Sequence, residues 1–255
     1  MEDINWNLSK ERGQELHPGF SVDCVIFGFH ENQLNVLLLQ MKGAKNWSLP
    51  GGFILKDEDV DTAANRILEF RTGLNNLFLK QFHLFGNTNR NDLEFNKKIM
   101  ATYDVHPEKD HWFLQRFITM GYYALVEFSK ASPRADQLSS ACEWWDINNL
   151  PGLVLDHRGI VETALENLRR QLSYLPIGYN LLPKKFTMPE LQKLYETILG
   201  KQLDRRNFQR KILSFNILKR LEERKTGVAH KAPYLYSFDL DNYNKALKEG
   251  LSGSW

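Results

Sequence analysis

Cysteine is scarce in this chain: 255 residues hold two, Cys24 and Cys142, far apart and without a Cys-x-x-Cys pair. The sequence therefore carries no disulfide framework and reads as a pair of thiols in a reducing, cytoplasmic setting. Cys24 lies in an apolar, strand-like run and reads as core. Long apolar runs are missing as well. Nothing approaches the ~20 apolar residues of a membrane span. The opening MEDINWNLSKERGQELHPGF lacks the apolar centre of a signal peptide. There is no internal repeat and no low-complexity tract. What is present is ordinary for a globular chain: 42% hydrophobic and 25% charged residues. The length suffices for a sizeable core and two domains.

Net charge is also nearly absent, at +2, until it is located. Residues 201–231 hold ten Lys/Arg against the three acids Asp204, Glu222 and Glu223. That segment is +7, and the remainder is +2 less +7, or −5. Such asymmetry points to a polyanionic partner for the C-terminal part.

The alternation and composition of 20–29 (FSVDCVIFGF) and 34–41 (LNVLLLQM) predict two strands joined by a turn at 30–33. Residues 59–71 predict a helix with Ala63, Ile67 and Phe70 on one side. Residues 77–86 read as a strand, and 116–128, rich in aromatic and β-branched residues, as a central one. The polar stretch 87–114 reads as an insertion without assigned structure. A strand, a loop and a helix follow, the helix keeping Ile160, Ala164 and Leu168 at helical spacing. LPIGYNLLP, 175–183, is a candidate hinge. The expected organisation is an N-terminal extension (1–17), a first domain (18–158), a linker helix and hinge (159–183), and a second domain (184–255). Intermixed strands and helices predict an α/β (α+β) fold.

The stretch GGFILKDEDVDTAANRILEFRTGL, 51–74, fits G-x5-E-x7-R-E-U-x-E-E-x-G-U, with U apolar, at Gly52, Glu58, Arg66, Leu68, Gly73 and Leu74. It resembles the Nudix box, and with its flanking strands the resemblance covers 18–150. In that family, carboxylates at three helix positions sharing a face hold Mg²⁺, which neutralises a diphosphate and activates water. This chain has Ile67, Phe70 and Arg71 there. Two apolar groups cannot ligate a hard cation, and a guanidinium repels it. Glu69 lies ~100° off that face. The expectation is a degraded box without catalysis or bound metal, kept for its pocket. The alternative is a Mg²⁺-dependent hydrolase of ADP-ribose-type diphosphates that uses Glu58 or the acidic run Asp57, Asp59 and Asp61.

In the C-terminal part, Thr187 and Glu190 form a capping-box pattern. Leu191, Leu194, Tyr195 and Ile198 make one apolar stripe, and Gly200 suits a helix stop. Asp204 can cap a second helix with Phe208 and Ile212 inward and Arg205, Arg206, Asn207, Gln209, Arg210 and Lys211 on its other sides. A strand, a basic turn at Thr226-Gly227 and a second strand read as a wing. A helix fits the major groove. There Arg can read guanine, and Asn or Gln adenine, while Arg224, Lys225, His230 and Lys231 can meet phosphates. Residues 205, 206 and 209 are the stronger candidates for base edges.

The combination of YYALV (122–126), LDH (155–157), FTMPELQKLYETILG and LDRRNFQRKI resembles the Nudix-related transcriptional regulators, NrtR-like. The resemblance implies a Nudix-like α/β/α sandwich followed by a winged helix-turn-helix, a homodimer on a palindromic operator of double-stranded DNA, and a small-molecule effector. One branch of the family responds to ADP-ribose. Another, the AraR-type repressors of sugar catabolism, has a degraded box, and the missing carboxylates favour it. A sugar is therefore expected ahead of ADP-ribose, with no cofactor. Candidate effector contacts are Asp23, a carboxylate inside an apolar strand; Trp47, just before the Gly-Gly pair; and Asn87, Asn89 and Arg90 after a strand end. The Asp156-His157 pair reads as a helix cap and domain contact. A third reading is an interaction module whose basic face binds RNA or an acidic protein.

Overall fold

The computed structural model describes residues 8–75, 77–172, 175–225 and 232–251. The chain forms two compact units, and the main boundary between them falls after Ala164.

The first unit is built on a six-stranded sheet. A single-turn helix, α1 (Arg12–Glu15), leads into β1 (Leu16–His30). Then come β2 (Gln33–Met41), β3 (Gly51–Leu55), α2 (Val60–Thr72), β4 (Lys80–Phe85), α3 (Leu93–Thr102), β5 (Ile118–Val126), β6 (Ser139–Asp146) and α4 (His157–Gln171). The strand order is β4-β5-β1-β2-β6, with β3 also paired to β1. β1 is therefore central and buried on both faces, which is why Val22 and Cys24 to Phe27 form a continuous buried run. The turn between β1 and β2 places Glu31 and Asn32 at φ 48° and 63°, the left-handed pair that a two-residue hairpin needs. Ala63, Ala64, Ile67 and Leu68 of α2 are buried, as are Ile160, Val161, Ala164 and Leu168 of α4.

Three expectations change. The Gly-Gly pair is the start of β3, paired antiparallel with β1 as Asp23↔Gly51 and Val22↔Gly52, and is not a turn. The polar stretch 87–114 holds α3, capped by Asp92, whose side chain accepts from Phe95 N at 2.9 Å. Ile99 and Met100 pack with Leu8, Phe113 and Leu114 in a small second core. Only two turns of weak apolar spacing announce that helix. The segment 175–183, read as a hinge, packs within the second unit. Ile177, Leu181 and Leu182 are buried, and Tyr243 donates its hydroxyl to Pro176 O at 2.9 Å.

The second unit has a three-stranded sheet of order β7-β9-β8, from β7 (Phe186–Thr187), β8 (Leu218–Arg224) and β9 (Tyr234–Phe238). α5 (Met188–Leu199) and α6 (Arg205–Ser214) precede β8. A further helix, α7 (Leu240–Glu249), follows the second wing strand and was not anticipated. Thr187 and Glu190 form the capping box of α5, and Gly200, at φ 68°, ends it. The architecture is thus a mixed α/β domain followed by a winged helix-turn-helix.

Candidate functional site

β1 carries Asp23 into the interior, opposite Gly51. A Cβ at Gly51 would fall on Asp23 Oδ1, so only glycine leaves room for the carboxylate. Burying that charge is costly without partners, and the chain supplies them from 67 residues away. Arg90 Nη2 donates to Asp23 Oδ2 at 2.7 Å, and Arg90 Nε to Asp156 Oδ2 at 2.9 Å. Arg90 Nη1 reaches Phe117 O at 3.2 Å. The loop that delivers Arg90 is an Asn turn: Asn89 N donates to Asn87 Oδ1, and Arg90 N to Asn87 O, both at 3.0 Å.

His157, at the start of α4, completes the cluster. Leu49 N donates to its Nδ1 at 2.9 Å, so the neutral ring carries its proton on Nε2, 3.8 Å from Asp23 Oδ1. Burial pushes the His157 pKa down, with Asp23 opposing and Arg90 reinforcing the shift. The imidazole is therefore held neutral.

Asp23, Arg90 and His157 line a cavity of about 120 Å³ together with Ser21, Ser48, Arg71, Asn96, Gln115 and the apolar walls Phe53, Phe95, Phe113 and Phe117. Asp23 and Arg90 both line it. Asn87 and Asn89 line an adjoining, more open groove beside Asp156. Trp47 lies outside the cavity lining and packs edge-on against Trp145, ring centroids 5.2 Å apart. The sequence reading set Asp156 and His157 aside as a cap and domain contact; both belong to this polar cluster. Their sequence signal was weak, because each pairs with a residue far along the chain.

Beside the cavity, the residues of the 51–74 pattern play structural parts. Glu58 and Arg66 form a two-pronged ion pair, with Arg66 Nε 2.8 Å from Glu58 Oε2. Arg66 also donates to Phe53 O at 3.0 Å, and Glu58 accepts from Leu55 N at 2.8 Å. Asp59 caps α2 by accepting from Thr62 N at 2.7 Å, and Gly73, at φ 70°, closes the helix. Asp61 accepts from Tyr122 and Gln81. Ile67 packs on Gly52, where a Cβ would lie 3.1 Å from its Cγ1. Arg71 is buried and pairs with Asp136 at 2.8 Å. Burial pushes the Arg71 pKa down and Asp136 pulls it back, and a guanidinium keeps its proton throughout. Phe70 is half-buried. A magnesium ion does not fit this donor set: the positions that would ligate it hold the sec-butyl chain of Ile67, the phenyl ring of Phe70 and the cation of Arg71.

In the second unit, α5 and α6 meet through Tyr195 and Phe208, ring centroids 5.4 Å apart and edge-on. The turn between them is tied by Gln192, which donates to Leu203 O, and by Glu196, which accepts from Leu203 N, both at 2.9 Å. Asp204 caps α6 by accepting from Asn207 N at 2.9 Å. With Phe208 and Ile212 buried, Arg205, Arg206, Asn207 and Arg210 are exposed, and Gln209 and Lys211 are half-buried. Asn207 Oδ1 accepts from Arg210 Nη2 at 3.0 Å. Leu213 is exposed on the same helix, a position sequence reading passed over. Lys225 pairs with Glu190 at 2.5 Å. Burial alone would push Glu190 up, but bonds from Lys225 and Thr187 hold it below the usual carboxylate range. His230 and Lys231 lie outside the described residues.

Comparison with known proteins agrees with this geometry. Residues 17–164 match the NUDIX domain family, and 178–238 match the NrtR DNA-binding winged helix domain. The chain is 29% identical over 235 residues to an ADPR responsive transcriptional repressor NtrR of Acinetobacter baylyi, covering 89% of this chain and 84% of that protein. It is similar to the crystal structure of Shewanella oneidensis NrtR complexed with a 27mer DNA, at TM-score 0.66 and 27% identity, over 88% of this chain and 95% of that one. A MutT/nudix family protein from Enterococcus faecalis shares the fold at TM-score 0.64 and 20% identity, over 88% and 87% of the two chains.

Proposed function

This chain belongs to the Nudix family, in its NrtR-like form with a winged helix appended, and on that premise we propose that it is a ligand-responsive, DNA-binding transcriptional repressor. The observation that carries the reading is α6. It follows a turn in which Gln192 and Glu196 tie both backbone groups of Leu203, buries Phe208 and Ile212, and leaves Arg205, Arg206, Asn207 and Arg210 exposed. Arg206, with Arg205 and Gln209, is assigned to base edges, Leu213 to a thymine methyl, and Arg210, Lys211 and Lys225 to phosphates. The protein acts as a homodimer whose two helices read the halves of a two-fold operator.

The Nudix domain serves as sensor and not as hydrolase. Support comes from Ile67 against Gly52, from Arg71 locked to Asp136, and from Glu58 committed to Arg66. The cavity beside them takes a sugar ring. Asp23, Arg90 and His157 offer acceptors and donors for hydroxyls, and the phenylalanine walls offer an apolar face. Arg90 serves two carboxylates and Arg71 one, so the cations here are already neutralised. That charge balance favours an uncharged polyol over a diphosphate. A second reading is ADP-ribose, to which the A. baylyi relative's name says that repressor responds; its ribose would use the same groups. Asp23 and Arg90 are the proposed contacts, Asn87 and Asn89 the turn that presents Arg90, and Trp47 a wall of the neighbouring loop.

Ligand and operator must each favour one state of the dimer, since equal affinity for both would shift nothing. The test is operator selection from a random duplex pool with the full chain, followed by Arg206→Ala. Loss of a bidentate base contact costs about 1–3 kcal/mol, or roughly 5- to 150-fold in affinity. An unchanged affinity would remove α6 from the groove.

A further inference from the structure

The winged unit is rich in cations, but the structure sorts them into two kinds. Lys185 pairs with Glu223 at 2.7 Å, Lys219 with Asp239 at 3.0 Å, and Lys225 with Glu190. Arg220 and Arg224 are different. Among the described residues neither has a carboxylate within ion-pair distance, and both are exposed on β8. Both also converge on one aromatic ring of the neighbouring strand. The guanidinium carbons lie 4.8 Å (Arg220) and 3.9 Å (Arg224) from the centroid of Tyr234. The register explains the meeting. Arg224 lies opposite Tyr234, and Arg220 opposite Tyr236, with a shift in pairing between them that brings residues four apart to the same ring. Arg224 Nη1 additionally donates to Ala232 O at 2.8 Å, which fixes its fork.

We propose that Arg220, Arg224 and Tyr234 form a preorganised backbone clamp on the wing, in which Tyr234 is a positioning residue holding two guanidinia ready for phosphates of duplex DNA. The proposal rests on the DNA-binding reading and adds to it a second, sequence-independent contact surface. Exposed arginine side chains ordinarily lose much rotamer freedom when they dock. Stacking on an aromatic face supplies that order in advance while leaving guanidinium N–H groups open at the ring's edge. Two arginines whose guanidinium carbons lie 4.8 Å and 3.9 Å from one ring centroid are near enough to each other to serve phosphates of a single strand. Among the described residues they have no carboxylate partner, so no ion pair there must be broken first. The tied lysines, by contrast, would surrender a partner to bind.

The test is the salt dependence of affinity of the full chain for its selected duplex, with a scrambled duplex in parallel. Each phosphate contact contributes about 0.9 to the slope of log K against log salt. Arg220→Ala and Arg224→Ala should each lower that slope by about one and weaken selected and scrambled duplex by the same factor. Tyr234→Leu, with both arginines intact, should weaken binding about 5- to 30-fold, the conversion of two exposed cation–π contacts. Tyr234→Phe, which keeps the ring, should restore it. An unchanged slope in both arginine variants overturns the clamp. So does equal loss in Tyr234→Leu and Tyr234→Phe, which would assign the ring to the hydroxyl or to folding. Arg206→Ala, run alongside, separates this from the reading beneath it. If that variant loses the selected duplex while the arginine variants keep their slope, α6 binds and the clamp does not exist. If no variant alters binding, the DNA-binding reading itself has failed.

Discussion

Replacing Arg90 with methionine probes the polar cluster of the Nudix domain most sharply. Methionine keeps an unbranched apolar stem and removes the buried guanidinium with its charge and donors. In the native chain the guanidinium meets Asp23 at 2.7 Å and Asp156 at 2.9 Å. Asp156 is partly exposed and can turn to water, whereas the Asp23 side chain is only 8% exposed. The variant would strand that carboxylate, leaving His157 Nε2 beside it at 3.8 Å. Removing one partner of a buried pair costs about 3–5 kcal/mol. At roughly 2–4 °C per kcal/mol for a chain of this size, the melting temperature should fall by roughly 6–20 °C. The loss should also depend on pH. Arg90 helps to hold the His157 pKa down and Asp23 pulls it up, so without Arg90 the imidazole takes a proton more readily and partly replaces the lost charge. The deficit should therefore be larger at pH 8 than at pH 6. Differential scanning calorimetry of wild type, Arg90→Met, and Asp23→Asn with Arg90→Met reads all three effects. The double variant should recover much of the loss, because it buries no charge. A single variant within 2 °C of wild type (roughly 1 kcal/mol at most), or a double variant no better than the single, would refute the assignment of Arg90 as the counter-ion of a buried carboxylate.

Two further outcomes follow from the same structure. In the wild type the folded His157 pKa lies below its ordinary value near 6.5. Its contribution to stability is thus fully present above that value and is lost as pH falls through it toward the lowered one. His157→Asn should flatten the dependence of melting temperature on pH between 7 and 5, and an unaltered slope would place that titration elsewhere. Thr187→Ala removes the hydroxyl that caps α5 and its two bonds with Glu190, and leaves the bond from Thr187 N to the Glu190 carboxylate. It should cost about 1 kcal/mol in urea denaturation of the full chain, and a neutral result would mean that β7 alone holds that end.

Much of this fold was legible because local and long-range signals agreed. The stripe Leu191, Leu194, Tyr195 and Ile198, flanked by Thr187 and Gly200, specifies α5 from sequence alone, and each of those residues does in the structure what its type suggests. The helix after Asp59 and the hairpin at Glu31-Asn32 were equally plain. The helix Leu93–Thr102 was not, since its apolar face is two residues deep and its cap is one Asp among many polar neighbours. Segment 175–183 shows the opposite failure. Proline and glycine suggested a joint, but Ile177, Leu181 and Leu182 supply the burial that fixes it. In the Nudix-domain cavity, Asp23 stands out as a charge in an apolar strand, and Arg90 is its partner. His157 was hidden, because its place depends on a hydrogen bond from Leu49, 108 residues away.

The central claim, a sensor domain that governs a DNA-binding domain, is tested most directly by fluorescence anisotropy of the full chain on its selected duplex, titrated with free pentoses and hexoses, with ADP-ribose, and with ADP-ribose plus Mg²⁺. The account predicts that a free sugar shifts the affinity for DNA, that the shift disappears in Asp23→Asn, and that ADP-ribose is recovered uncleaved. Release of AMP and ribose phosphate in the magnesium arm, with DNA affinity indifferent to every ligand, would contradict it.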